Sequence, residues 1–217
     1  MPFSIGGDHS VSLAGLRAVA ARHGPLALVH FDSHSDTWDS YFDGKRYSAG
    51  TMFRRAVEEG IVDPARSIQV GLRGSLFQPT DVSQSVDLGF HVITCDEMFV
   101  MGFPAVAAKI AERAGGHAAY LSFDLDFVDP AYAPGVETPE CGGPSARETL
   151  GLLRTLQGLR LVGADVVELN PLYDGPGQIT ALLGATVMAE LLAILAEERR
   201  DARSKTKAKT PYSEERT

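Results

Sequence analysis

The sequence predicts an α/β fold: a mostly parallel sheet between two helical layers, a three-layer αβα arrangement. Three observations carry that prediction. Continuous apolar runs of strand length alternate along the chain with stretches whose apolar residues recur at helical spacing. The strand-like runs are apolar at successive positions, as strands covered on both faces must be. Polar clusters stand where those runs stop, and in parallel sheets ligands sit beyond the carboxyl ends of the strands.

Each element follows from its residues. "FSI" before "GGDHS" reads as the last part of a strand, so the sequence predicts that earlier strands are missing and that the chain is N-terminally truncated. "SVSLAGLRAVAARHG" (10–24) places Val11, Leu13, Leu16 and Ala20 on a helical face and stops on Gly24. "LALVHFD" (26–32) is a buried strand. "TMFRRAVEEG" (51–60) is a short helix closed by Gly60, and "SIQVGL" (67–72) and "FHVITC" (90–95) are strands. "FPAVAAKIAERAGG" (103–116) is helical, "AAYLSFD" (118–124) is a strand, and a Pro/Gly-rich loop follows to Pro144. Ser145 with Glu148 forms a capping box for the next helix. "LVGADVVEL" (161–169) is a strand, and residues 178–200 form the longest helix. Residues 1–198 therefore read as one domain. Residues 199–217 lack apolar periodicity and read as a disordered charged tail.

Composition narrows the function. A chain of 217 residues with 44% hydrophobic content feeds one sizeable core. A formal charge of −8 argues against a nucleic-acid partner, which needs a basic surface. Two cysteines without paired spacing are neither a disulfide framework nor a thiolate metal knuckle, and they fit a cytoplasmic setting. No apolar run reads as membrane-spanning and no signal-peptide pattern opens the chain, so no membrane partner is expected.

Four clusters carry the chemistry: "GGDHS" (6–10), "HFDSHSD" (30–36), "SFDLDFVDP" (122–130) and "VVELNP" (166–171). Any one alone reads as a cap or a solvated turn. All four share the same strand-end context, and a parallel sheet brings strand ends to one edge. His9, His34, Asp32, Asp36, Asp124 and Asp126 then converge. Crowded carboxylates stay ionised only with compensating positive charge, and nothing basic lies in these motifs. Divalent cations are the natural neutralisers. Carboxylate with imidazole favours Mn²⁺, with Zn²⁺, Ni²⁺ or Fe²⁺ chemically admissible, and bridging carboxylates suggest two ions sharing a water. Asp8 reads as a helix cap, His30 as a packed or supporting histidine, Asp129 as a turn residue and Cys141 as structural.

Together "GGDHS", "HFDSHSD", "SFDLDFVDPAYAPGVETPECGG" and "DVVELNPLYDGPGQIT" resemble, in order, the ureohydrolase family of arginases, agmatinases and guanidinobutyrases. The similarity runs from residue 5 to about residue 195. "GTMFRRAVEEGIVDPARSIQVGLRG" (50–74) brings it closer to the agmatinase and guanidino-acid hydrolase branch. The resemblance implies an arginase-like fold and a site for two Mn²⁺. One ion would be held by His9, Asp32, Asp36 and Asp124, the other by Asp32, His34, Asp124 and Asp126. It implies that a bridging hydroxide attacks the guanidinium carbon of a linear guanidino compound, releasing urea and an amine. Asp36 would pass a proton to the leaving nitrogen, and Glu168 would bind the guanidinium. A trimeric or hexameric homo-oligomer is also implied.

Two positions depart from the family pattern. Ala49 stands where the family has a His before "GT", which removes a candidate acid–base group. Glu137 replaces a small Gly and is expected to face solvent. Ala49 and the missing N-terminal strands motivate a second reading, a non-catalytic or impaired metal-binding paralogue or fragment. A deacetylase would show adjacent histidines, and a metallophosphatase a later Gly-Asn-His; neither motif occurs.

Overall fold

The computed structural model describes residues 1–208 except Phe42, Phe77 and Gln157. Six strands form one sheet: β1 (Phe3–Ile5), β2 (Ala27–Phe31), β3 (Ile68–Leu72), β4 (His91–Thr94), β5 (Ala119–Asp124) and β6 (Leu161–Val167). Their spatial order is β1-β6-β5-β2-β3-β4, and every neighbouring pair is parallel. Among the described residues seven α-helices accompany them: α1 (Val11–His23), α2 (Met52–Glu58), α3 (Asp81–Leu88), α4 (Cys95–Met101), α5 (Phe103–Ala114), α6 (Ala146–Thr155) and α7 (Ile179–Ala208).

The sheet separates two apolar cores, as the three-layer expectation requires. On one face Ala27, Val29 and Phe31 of β2 and Leu121 and Phe123 of β5 pack against α5, α6 and α7 through Val106, Ile110, Leu152, Val187 and Leu191. On the other, Leu28 and Tyr120 pack with Leu16 of α1 and Met52 and Phe53 of α2. Successive side chains alternate between faces. The α1/α2 face therefore reads Leu28, His30, Asp32 along β2 and Tyr120, Ser122, Asp124 along β5. It begins apolar and turns polar toward the carboxyl end, while the opposite face stays apolar throughout.

Local signals explain most boundaries. The backbone N–H of Gly24, a residue with φ +76°, closes α1 on Ala20, and the Ser145/Glu148 capping box is formed. Two helices escape the periodicity. α3 is only 8 residues long. α4 begins inside the segment expected to be strand: Thr94 and Glu97 form a reciprocal capping box that ends β4 and starts the helix. Between β2 and α2 the chain makes a surface excursion that returns on itself. The Trp38 N–H donates to the Gly50 carbonyl at 3.1 Å, and Tyr41 and Lys45 exchange backbone hydrogen bonds within it.

α7 corrects two expectations. Ile179–Ala196 is 18 residues long with a mean hydropathy of 2.1, so the chain does contain a stretch long and apolar enough to cross a membrane. Its apolar content has a local cause: Leu183, Val187, Leu191 and Leu195, four residues apart, lie buried in the larger core. The helix also continues through residues 199–208, expected as part of a disordered tail, where "RRDARSKTKA" is dominated by strong helix formers. The rest of that expected tail, 209–217, lies outside the described residues. Both cysteines are free, Cys95 buried and Cys141 exposed.

One glycine connects the sheet to its functional edge. Gly71 in β3 has φ +106°, at a register shift in the β3–β4 pairing. A Cβ there would stand 2.4 Å from the Phe127 ring and 2.9 Å from the Asp32 carbonyl oxygen. Gly71→Ala is expected to destabilise the fold by about 2–4 kcal/mol, combining a left-handed backbone with overpacking. Urea unfolding of the variant measures it.

Candidate metal centre

The strands that end in the four polar clusters are contiguous in the sheet: β1, β6, β5 and β2. His9 follows β1 at the start of α1, Asp32 follows β2, Asp124 ends β5, Asp126 lies in the single turn after it, and Glu168 follows β6. All five are buried, with Asp36 beside them. Parallel pairing thus assembles residues separated by up to 159 positions in the chain.

His9 occupies the centre. Its Nδ1 lies 2.9 Å from Asp36 Oδ2, 3.0 Å from Asp124 Oδ2 and 3.3 Å from Asp32 Oδ2. That nitrogen is buried and in none of these contacts has hydrogen-bond geometry. A ring nitrogen facing three carboxylate oxygens, with no hydrogen bond to any, is a donor set suited to a cation. His34 makes a second group. Its Nδ1 stands 3.0 Å from Asp126 Oδ2 and 3.4 Å from Asp32 Oδ1. The candidate ligand atoms of Asp32, His34 and Asp126 lie within 4.8 Å of one another, as do those of His9, His30, Asp32 and Asp36. Asp32 belongs to both groups and turns one oxygen to each.

The surrounding bonds hold these carboxylates in place. The backbone N–H of His34 donates to Asp32 Oδ1 at 2.6 Å, and that of Asp126 to Asp124 Oδ1 at 2.7 Å. Ser33 donates its hydroxyl to Asp126 Oδ1 at 2.7 Å, and the His9 N–H donates to Glu168 Oε1 at 2.6 Å. Asp36 and Glu168 have φ of +51° and +62°. For side chains of this kind such backbone costs about 1–3 kcal/mol and is sustained by the packing around it.

Electrostatics follow from burial and crowding. Burial raises Asp124 well above the usual carboxylate range, with the charges of Asp126 and Asp32 adding to it. Burial and Asp32 raise Asp36. Burial also works to raise Asp32, but the His30, His34 and His9 rings outweigh it and hold that carboxyl well below its ordinary range. For the imidazoles burial acts downward and loses. Asp124, Asp32 and Asp36 drive His9 well above its ordinary value, and Asp126 and Asp32 push His34 up to about 12. Burial pushes Glu168 up to about 7. Among the described residues no Lys or Arg forms an ion pair with these carboxylates.

A cleft of about 310 Å³ opens beside His34, lined by Trp38, Leu72, Arg73, Leu76 and Asp81 among others. Arg73 ties its wall together, donating to the backbone carbonyls of Asp126 and Glu140 at 2.8 and 2.7 Å.

The structure thus brings the expected residues together in two adjoining groups that share Asp32, with Asp124 joined to the first through His9. The minor assignments fare variously. His30, read from the sequence as a packed or supporting histidine, lies within the His9 group, its Nε2 2.7 Å from Asp32 Oδ2 and its ring 4.5 Å from that of Phe53. Asp8 accepts from the Ser10 N–H just before α1. Asp129 does more than form a turn, accepting from the backbone of Ala131, Gly142 and Gly143 across its loop. Ala49 sits half-buried in a short turn before α2, and Glu137 is exposed. The sequence reading missed Ser122, Asp165, Gln69 and Phe53. Asp165 had a signal, a lone acid inside the apolar run "LVGADVV".

A sequence profile described as the Arginase family matches residues 1–193. The chain belongs to the arginase family. Within that family it is 49% identical to guanidinopropionase from Pseudomonas aeruginosa, over 91% of this chain and 61% of that protein. It is 43% identical to the mitochondrial agmatinase of Gallus gallus, over 90% and 57% of the two chains. The solved structure of proclavaminate amidino hydrolase from Streptomyces clavuligerus superposes with a TM-score of 0.83 at 46% identity, covering 88% of this chain and 62% of that one. The chain therefore spans about 60% of the length of the arginase-family relatives it matches.

Cation binding to this arginase-family site is expected to strengthen as pH rises. His9 and His34 have raised pKa values, so a cation must displace their protons at neutral pH. Each proton released contributes about tenfold in apparent affinity per pH unit. Mn²⁺ titrations across the neutral range, with proton release followed in weak buffer, measure the slope.

Proposed function

We propose that residues 1–198 form the catalytic domain of a metal-dependent hydrolase that cleaves a linear guanidino compound, of the agmatine or guanidinobutyrate type, to urea and an amine. The observation that carries this reading is the Asp32 carboxylate, buried and divided between a His9 group and a His34 group. Two cation sites sharing one carboxylate are what a binuclear centre requires. Two divalent cations held there, Mn²⁺ by preference for carboxylate and imidazole, would acidify a water so that it attacks at neutral pH. His9, Asp32, Asp36 and Asp124 would hold one ion and Asp32, His34, Asp124 and Asp126 the other.

The chain's own groups do the rest. Glu168, anchored by the His9 N–H, presents a carboxylate to a planar cation, the pairing that carboxylates and guanidinium groups favour. Asp36, turned inward by its left-handed backbone, takes up a proton and returns it to the leaving nitrogen. With Ala49 in place of an imidazole, that proton work falls to Asp36. The names of the relatives, guanidinopropionase and agmatinase among them, support a linear guanidino substrate. A homo-oligomer, trimer or hexamer, and a cytoplasmic setting belong to the same reading; two unpaired cysteines support the latter.

Urea release from agmatine, guanidinopropionate and guanidinobutyrate by the Mn²⁺-loaded protein tests the reading. No urea from any of them, with two ions bound, would establish the non-catalytic metal-binding paralogue instead. Glu168→Gln is expected to lower kcat/KM by about 10²-fold, the loss of a buried charge pair, while metal content stays at two ions. Asp124→Asn is expected to reduce bound Mn²⁺ below two per chain, read by elemental analysis after gel filtration.

A further inference from the structure

We infer that Asp165, acting through Ser122, is a positioning residue that keeps a proton on Nε2 of His9 and so leaves Nδ1 as the atom offered to a cation. The inference deepens the metal-dependent reading and rests on it for the cation, though not for the proton.

The observation is a row of polar side chains running across the sheet, one step inside Asp32 and Asp124. Ser4, Asp165, Ser122, His30 and Gln69 are successive cross-strand partners on β1, β6, β5, β2 and β3. The last four are fully buried. Buried polar groups at such positions need hydrogen-bond partners, and here Ser122 finds one in Asp165 and His30 one in Gln69.

Hydrogen counting then assigns the protons. Asp165 lies between two hydroxyls: Tyr120 donates to Oδ2 at 2.7 Å and Ser122 to Oδ1 at 2.6 Å. Each hydroxyl has a single hydrogen, and both give it to Asp165. Ser122 Oγ keeps lone pairs alone for its other neighbour, His9 Nε2 at 2.8 Å. That nitrogen must therefore carry the hydrogen, and Nδ1 faces the three carboxylates. Glycines leave room for the Tyr120 end of the chain. A Cβ on Gly15 would clash with the Tyr120 hydroxyl, and one on Gly163 would stand 2.7 Å from its ring.

The other end of the row is set by the same accounting. The Gln69 amide nitrogen donates to the Ser35 carbonyl at 2.5 Å, and a carbonyl can only accept, which fixes the amide orientation. The same nitrogen is 3.0 Å from His30 Nδ1, so Nδ1 accepts and His30 Nε2 carries the hydrogen it gives to Asp32. The His9 and His30 rings, 5.3 Å apart and both packed on Phe53, thus hold a proton on the same atom and point it in different directions. His30 spends its proton on a ligand carboxylate, whereas His9 turns its own away from the ligands. A ligating histidine whose other N–H is bonded to an oriented acceptor is a general device of metal sites, and loss of such a partner typically weakens affinity 10–100-fold.

Two-bond ¹H–¹⁵N correlation spectra of the full chain labelled with ¹⁵N-histidine test the assignment, with and without Zn²⁺ as a diamagnetic probe. His9 is assigned by comparison with His9→Asn. A His9 Nε2–H signal is expected in both states of the wild type. It is expected to disappear or move to the other tautomer in Ser122→Ala and Asp165→Asn, while the His34 signals stay in place. Both variants are expected to bind one of two Mn²⁺ about 10–100-fold more weakly. Ser122→Ala removes one oxygen and carries the test alone should Asp165→Asn fail to fold. A wild-type His9 without a proton on Nε2, or spectra and affinities unchanged in Ser122→Ala, would overturn the inference. A wild type that binds no Mn²⁺ but shows an Nε2–H signal lost in Ser122→Ala would sustain the inference and sink the metal-dependent reading.

Discussion

The buried carboxylate of Asp32 organises this molecule. It accepts the His34 backbone N–H on one oxygen and the His30 ring on the other, and each oxygen also faces a further imidazole nitrogen. A fully buried carboxylate is tolerated only where its charge is met by hydrogen bonds and opposite charge. Here the histidines meet it from three directions. The position of β2 near the middle of the sheet follows from the same need, because only a central strand can present its end to neighbours on both sides.

The sheet order supplies those neighbours. The chain leaves β2 toward β3 and β4 on one side, then returns to β5 and leaves it toward β6 on the other, so the switch point lies between β2 and β5. Such a switch point opens a crevice at the carboxyl ends of the strands, and the ligands gather there. The two apolar cores give the crevice its rigidity. Phe123, Phe127 and Phe31 interlock beneath it at centroid distances of 5.4–5.8 Å. Phe53 closes on His9 and His30 from the helix side. Strained backbone at Asp36 and Glu168 is held by this packing rather than by any local preference.

Much of this was legible in the residues. Strand-length apolar runs and the polar clusters at their ends gave away the parallel sheet, because burial on both faces and function at one edge leave different marks. All six expected ligands lie together for that reason. What escaped notice had weaker marks. Ser122 is one small hydroxyl between Leu121 and Phe123, and its partner Asp165 is 43 positions away; only strand register makes them a pair. The α4 boundary was hidden because "FHVITC" is apolar throughout, although the Thr94/Glu97 cap marks it. The length of α7 was misjudged because charged residues at its end were read as a tail, and they are also good helix formers.

The excursion between β2 and α2 has a further consequence. It leaves the scaffold at Trp38 and rejoins it at Gly50, and backbone atoms make the closure. Side chains of the excursion also reach α2: Asp39 pairs with the buried Arg55 at 2.9 Å and Arg46 with Glu58 at 3.0 Å. Exchange of the loop is therefore constrained at its two backbone anchors and at Asp39, the partner of the buried Arg55 guanidinium, and is freer between them. With Trp38 at its root also lining the cleft beside His34, changes in what the cleft accepts can accumulate separately from changes in the chemistry beneath it. The wall of the cleft and the cluster of buried carboxylates thus stand largely on different segments, which can vary at different rates.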